Sequence, residues 1–365
     1  METAISGYAS IELNKDELIR LLDEADARRS IASLRKKIAA LKESVCSDND
    51  SRAQMSNAGF NGNSVSLRRD VLASELDQII EARTIERARY YIKRLRRAVE
   101  KIKTTEINDI NLLRWKEYEE IITDSLWVLP RRDTAGAHLS WYWGNFIPQI
   151  PRQLMLRYTK KNGWVLDTFA GSGTTLIEAR RLGRNCIGVE LSRRVARKAV
   201  ELIERESNPH SVTTEVITGD ARTIDLRREF DRVGARRAQL LIMHPPYHDI
   251  IGFSKNPKDL SAAASAEEFL KMLGEAVDNA TPLLERGRYF ALVIGDKYSK
   301  GEWVPLGFEC MNEVLKRGYS LKSIVVKNFD ETRAKRDQKQ LWRYRALAGG
   351  FYIFKHEYIF LFRKK

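Results

Sequence analysis

From about Ala137 onward, short apolar runs alternate with stretches of helical length, and few folds accept that rhythm. Residues 164–166, 186–191, 214–217, 239–243 and 289–294 are short, continuous apolar runs, which predicts strands buried on both faces. Helical stretches at 174–182, 193–206 and 264–285 separate them, and 321–330 with 351–362 read as a terminal antiparallel strand pair. The pattern predicts an α/β, Rossmann-like doubly wound sheet over residues 138–365, with ligands bound beyond the carboxyl ends of its strands.

Residues 1–137 read differently, as an α-helical, coiled-coil-like domain. Ile31, Leu34, Ile38, Leu41 and Val45 form one heptad seam, and Ile85, Ala88, Ile92, Leu95, Val99 and Ile102 form a second. Residues 47–66, rich in Ser, Asn and Gly, read as a flexible linker between them. Two such seams predict an antiparallel helical hairpin or an arm that forms a homodimer.

The chain has 365 residues, which predicts about two domains. Its 63 Lys+Arg against 49 Asp+Glu give a net charge of +14, which points to a polyanionic partner. Residues 1–137 hold 24 basic and 23 acidic side chains, so the excess lies in the second domain. No apolar run approaches the ~18 residues of a membrane span, and Met1–Ser10 show no secretory pattern. Three scattered cysteines, Cys46, Cys186 and Cys310, suit neither a disulfide framework nor a zinc cluster. A cytoplasmic protein, at the nucleoid if the source is bacterial, with no metal and no membrane partner, is the expectation.

Two turns carry the chemistry. The first predicted strand runs into Asp167-Thr168-Phe169-Ala170-Gly171-Ser172-Gly173-Thr174-Thr175, and a helix follows. Gly171 and Gly173 permit a tight turn, and the helix start offers free N–H groups to an anion. Glu190 ends the next strand, where a carboxylate can hold both ribose hydroxyls, and Asp220 ends the third, where it can accept from an adenine amine. A dinucleotide fingerprint needs a third glycine where Leu176 stands, so an adenosyl ligand without pyrophosphate is preferred. The fourth strand runs into His244-Pro245-Pro246-Tyr247, a stiff corner whose proline carbonyls accept hydrogen bonds and whose tyrosine can stack on a base.

Together these residues resemble the DNA amino-methyltransferases, which modify cytosine N4 or adenine N6. The resemblance runs from about His138 to Phe362. Asp167–Thr175 is similar to the family's S-adenosylmethionine-binding motif, which implies contacts from Asp167, Phe169, Gly171, Ser172, Gly173, Thr174 and Thr175. The stretch from Gly183 to Glu190 resembles its ribose-binding strand, and Gly144-Asn145-Phe146 resembles the segment that completes the pocket, with Phe146 in contact. His244–Tyr247 stands where the family carries Asp/Asn/Ser-Pro-Pro-Tyr, which implies catalytic roles for His244, Pro245, Pro246 and Tyr247. Thr168 departs harmlessly from a proline; His244 departs at a position that touches the amine.

The implied activity is site-specific methylation of an exocyclic amine in double-stranded DNA, cytosine N4 favoured over adenine N6, as in restriction–modification. The alternatives are an RNA amino-methyltransferase and a catalytically inactive DNA-binding subunit. DNA recognition is expected either in the helical domain or in residues 327–350, where Arg333, Arg336, Trp342, Arg343 and Arg345 mix basic and aromatic groups. His248, four residues after His244, is not expected to bind metal, since the prolines forbid a helix there.

Overall fold

The computed structural model describes residues 9–46, 63–139, 141–329 and 339–365. They divide into two compact units, Met1–Thr105 with Ile110–Glu120, and Glu106–Asp109 with Ile121–Lys365. The division falls near 120 rather than 137, because strand β3 (Leu126–Trp127) pairs within the second unit and Trp127 is buried in its core.

The first unit is a repeated strand–helix–helix motif. Strand β1 (Ser10–Asn14) leads into helices α1 (Lys15–Asp26) and α2 (Ile31–Cys46); strand β2 (Ser64–Arg68) leads into α3 (Arg69–Ile80) and α4 (Ile85–Glu100). Every boundary in the second copy lies 54 residues after its counterpart in the first, Ser10 to Ser64 and Ile31 to Ile85 for example. The buried positions follow the same offset: Leu18 and Leu72, Leu22 and Leu76, Leu34 and Ala88, Ile38 and Ile92, Leu41 and Leu95, Val45 and Val99. So do the polar contacts between the copies. Arg35 donates to the Ala82 carbonyl at 2.8 Å and its equivalent Arg89 to that of Arg28 at 3.1 Å. Lys42 pairs with Asp77 at 2.6 Å, and Arg96 with Asp23 at 3.0 Å. The antiparallel β1–β2 ribbon sets Glu12 opposite Ser66, its own equivalent, so the two copies are related by a pseudo-two-fold axis through that pair.

This arrangement departs from the sequence expectation in two places. The second heptad seam stops at Val99, because α4 ends at Glu100 and leaves Ile102 82% exposed. Of the linker expected over 47–66, residues 47–62 lie outside the described ones, and the rest enters β2, whose Val65 and Leu67 are buried. Alternation of apolar and polar residues over five positions makes that strand; the short period is hidden inside a run of turn-forming residue types.

The second unit is the doubly wound sheet, with eight strands in the order β3-β11-β12-β8-β7-β4-β5-β6. Its strands are β4 (Trp164–Asp167), β5 (Asn185–Glu190), β6 (Thr214–Thr218), β7 (Ala238–Met243), β8 (Leu284–Ile294), β11 (Ser320–Asn328) and β12 (His356–Arg363). A small hairpin, β9 (Lys297–Ser299) with β10 (Glu302–Val304), stands apart from it. Strands β4 to β8 run parallel, while β12 is antiparallel to both β8 and β11. Helices α5 (Gln149–Tyr158), α6 (Thr174–Leu182) and α7 (Arg193–Arg205) cover one face. Helices α8 (Leu226–Arg232), α9 (Ala266–Ala280) and α10 (Leu306–Lys316) cover the other. The helix expected to reach 285 stops at Ala280, since Pro282 has no N–H to continue it, and β8 begins at Leu284. The loop expected over 327–350 contains helix α11 (Lys339–Gly349), formed by residues of good helix propensity and buried nowhere. Among the described residues, no helix is long and apolar enough to cross a membrane.

Candidate cofactor and active site

Three carboxylates sit at the carboxyl ends of β4, β5 and β6, three adjacent parallel strands. Asp167 is fully buried and folds back on its own turn, accepting from the Phe169 N–H at 3.0 Å and the Thr175 hydroxyl at 2.5 Å. Burial raises its pKa to about 6. Between those anchors Gly171 and Gly173 adopt φ of +50° and +82°, a region costly for any residue with a Cβ. The space a Cβ would need is filled by protein, Tyr142 at 3.1 Å from the Gly171 position and Ile203 at 3.0 Å from that of Gly173. Gly173 thus serves the packing of α7 against α6 as well as the turn.

Glu190 accepts from the Gly171 N–H at 3.0 Å and the Ser192 N–H at 2.7 Å. Burial raises its carboxyl to about 7 despite those two bonds. Asp220 accepts from the Arg222 N–H at 3.0 Å and pairs with its guanidinium at 2.7 Å. One oxygen lone pair remains on each Glu190 oxygen, and Asp220 keeps part of its accepting capacity. Asn145 completes the turn from the other side: its amide donates to the Ser172 hydroxyl and accepts from that of Thr174 at 2.8 Å. Arg132 holds this segment through the Asn145 and Phe146 carbonyls at 3.3 and 3.0 Å. Neither Asn145 nor Arg132 stood out in the sequence as a bonding partner of the turn.

Beside β4 lies β7, with Asp167 opposite Ile242. Two residues further on begins the His244–Tyr247 corner, so the glycine turn and the proline corner leave neighbouring strand ends. The His244 ring lies 4.8 Å from that of Phe146. Its Nε2 is 3.3 Å from the Tyr247 hydroxyl, which donates to Glu357 at 2.7 Å. The other Glu357 oxygen pairs with buried Lys327 at 3.0 Å. Burial pushes the Glu357 carboxyl up, but Lys327 and the Tyr247 hydrogen bond prevail and hold it below the usual range. Burial pulls His244 down to about 4, leaving it neutral near pH 7. Gly295, after β8, gives the Tyr247 ring its room: a Cβ there would meet the ring at 2.9 Å. Glu357 and Lys327 come from β12 and β11, and short-range sequence patterns give no sign that Glu357 reaches Tyr247 or that Lys327 pairs with it there.

Other sequence-selected residues stand elsewhere. His248, at φ +52°, bonds the Ala263 carbonyl through Nε2 at 3.0 Å and receives Lys297 on Nδ1 at 2.9 Å, so both nitrogens are taken. Among the described residues no group of three or more His, Cys, Asp or Glu is placed to hold a metal. Arg333 and Arg336 lie outside the described residues. Trp342, Arg343 and Arg345 fall on α11, with the Arg345 guanidinium 5.3 Å from the Trp342 ring.

This sheet order, with a glycine turn after β4 and acids closing β5 and β6, defines the Rossmann-like methyltransferase class, whose cofactor is S-adenosylmethionine. The groups left open at these strand ends suit that cofactor: the N-terminus of α6, a lone pair on each Glu190 oxygen and the remaining accepting capacity of Asp220. The family described as DNA methylase, of N6 and N4 specificity, matches residues 86–201, and type II methyltransferases match shorter stretches. These include M2.DpnII of Streptococcus pneumoniae, 42% identical over 59 residues (15% of this chain, 22% of that one), and M.SmaI of Serratia marcescens, 32% over 101 (25% and 33%). Over those residues the chain is similar to the DNA amino-methyltransferases. It spans about a third or less of the length of these relatives. Among solved structures it is similar to TrmN from Thermus thermophilus, at 18% identity and TM-score 0.38 over 60% of this chain and 49% of that one.

Proposed function

We propose that this chain transfers a methyl group to the exocyclic amine of a base flipped from duplex DNA, cytosine N4 in preference to adenine N6. The observation that carries the proposal is the adjacency of the glycine turn and the His244–Tyr247 corner on neighbouring strands β4 and β7. It lets one site hold a methyl donor and present a rigid acceptor pair to a planar base. Phe146, Phe169, Gly171, Ser172, Gly173, Thr174, Thr175, Glu190 and Asp220 line or shape the donor's side, with Asp167 and Asn145 bracing the turn.

S-adenosylmethionine supplies an electrophilic methyl group. The residues of the corner prepare the amine, whose lone pair is delocalised into its ring. Tyr247 has one hydroxyl hydrogen and gives it to Glu357, so its oxygen can only accept from His244. Nε2 therefore carries the ring hydrogen and Nδ1 keeps a lone pair, to which no described residue donates. With the Pro245 carbonyl, that nitrogen holds the two amine hydrogens and turns the lone pair out of conjugation. Tyr247 stacks on the base, offsetting about 1–3 kcal/mol of the flipping cost. Lys327 and Glu357 are positioning residues that fix the tautomer.

The test is single-molecule sequencing of DNA from cells expressing the chain, with digestion and mass spectrometry of DNA and RNA alongside. N4-methylcytosine in DNA is the expected mark; N6-methyladenine overturns the choice of base, and a mark confined to RNA, or none, overturns the proposal. His244→Ala should lower turnover while calorimetry finds cofactor affinity unchanged.

A further inference from the structure

We propose that the β1–β2 ribbon enters the major groove of DNA and reads base edges with its outward side chains, Ser10, Glu12, Ser64 and Ser66. The inference rests on duplex DNA being the substrate, and it names the recognition element.

The ribbon has two unlike faces. Ile11, Leu13, Val65 and Leu67 point into the core of the first unit, while Ser10, Glu12, Ser64 and Ser66 are exposed. None of these four side chains makes a hydrogen bond or ion pair with a described residue, so their donors and acceptors are available to a ligand. The outward face carries no apolar side chain, which suits hydrogen-bonding base edges and not an apolar protein surface. A major groove about 12 Å wide admits a two-stranded ribbon, and such ribbons are known readers of it. Strand addition is the rival use of a ribbon, but on the outer edge of β2 Arg114 already occupies the Ser66 carbonyl.

Symmetry and charge agree with this partner. The pseudo-two-fold axis through Glu12 and Ser66 can coincide with the local two-fold axis of a duplex, so each copy meets an equivalent half of the site. Lys15 and Arg69 follow the strands at equivalent ends of the ribbon, where they can meet phosphates on either side of the groove. The two halves are not identical. Ser10 and Ser64 match, whereas Glu12 faces Ser66 and Asn14 corresponds to Arg68, so the sequence read is pseudo-palindromic, asymmetric at its centre. Glu12 can only accept, which selects a base offering an amine in the groove, cytosine N4 above all.

The test is selection by the full-length protein from a pool of duplexes randomised over their central base pairs, a readout independent of methyl transfer. Wild type should enrich one motif. Glu12→Ala and Ser66→Ala should relax its centre, and Ser10→Ala with Ser64→Ala its flanks, each lowering affinity for the selected duplex about tenfold. Cofactor affinity and melting temperature should stay as in wild type, because these side chains face solvent. Variants that enrich the wild-type motif at wild-type affinity overturn the inference and leave the methyltransferase reading standing. A wild type that enriches no duplex motif overturns it too, and methyl incorporation into cellular DNA then judges the methyltransferase reading separately. Ribbon substitutions that change only the sedimentation of the protein would identify a second copy of the chain as occupant, and would equally overturn it.

Discussion

Replacing Tyr247 by Phe keeps a ring to stack on a base and removes the one hydroxyl that links His244 to Glu357. His244 can then take either tautomer. A lost charge-assisted hydrogen bond of about 1.5–3 kcal/mol predicts turnover lower by roughly tenfold to a hundredfold, with cofactor affinity unchanged. Nitrogen NMR of His244 should show Nε2–H in the wild type and a mixture in the variant. Glu190 gives a pH prediction. Its folded pKa of about 7 lies above the ordinary 4.5, so the folded protein binds more protons between those values. That contribution to stability is complete below about 4.5 and is lost as pH rises through 7. His244 acts in the opposite sense between its folded value of about 4 and its ordinary 6.5, so the effect of Glu190 is cleanest above pH 6.5. Melting temperature of the cofactor-free protein should fall from pH 6.5 to 8, and Glu190→Gln should flatten that fall. His244 itself was legible, as a departure within a recognisable corner. Its partners were not, since Tyr247 and Glu357 stand 110 residues apart and meet only through strand pairing.

The elements that were read best are those with a local cause. The glycine turn, the proline corner and the buried parallel strands each announce themselves within ten residues, through backbone restriction or apolar continuity. The repeat in the first unit was equally present in the chain, as Ser-Ile-x-Leu at Ser10 and Ser-Val-x-Leu at Ser64. Strands of five residues beside polar segments leave too few periods to count, and a comparison at offset 54 is the signal that finds them. The repeat predicts that equivalent substitutions act alike. Ile38→Ala and Ile92→Ala, both in fully enclosed positions of α2 and α4, should each destabilise the protein by about 2–5 kcal/mol in denaturant titration, and by similar amounts.

For the whole molecule, charge and topology divide the work. A net +14 says that a polyanion is welcome, and leaves open where. If α11 contacts phosphates, neutralising Arg343 and Arg345 together should make the fall of log affinity with log salt shallower by about 2, at any DNA sequence. Ribbon substitutions should instead change which sequence is bound. The sequence alone determined the fold class, the cofactor turn, the proline corner and the net positive charge, because each follows from residue type and near neighbours. Only tertiary structure decided that β7 lies beside β4, that β12 carries Glu357 to Tyr247 with Lys327 of β11 paired to it, and that two distant pentapeptides close into one ribbon. Those pairings are choices among many strand partners of similar local merit, and packing of the complete core makes them.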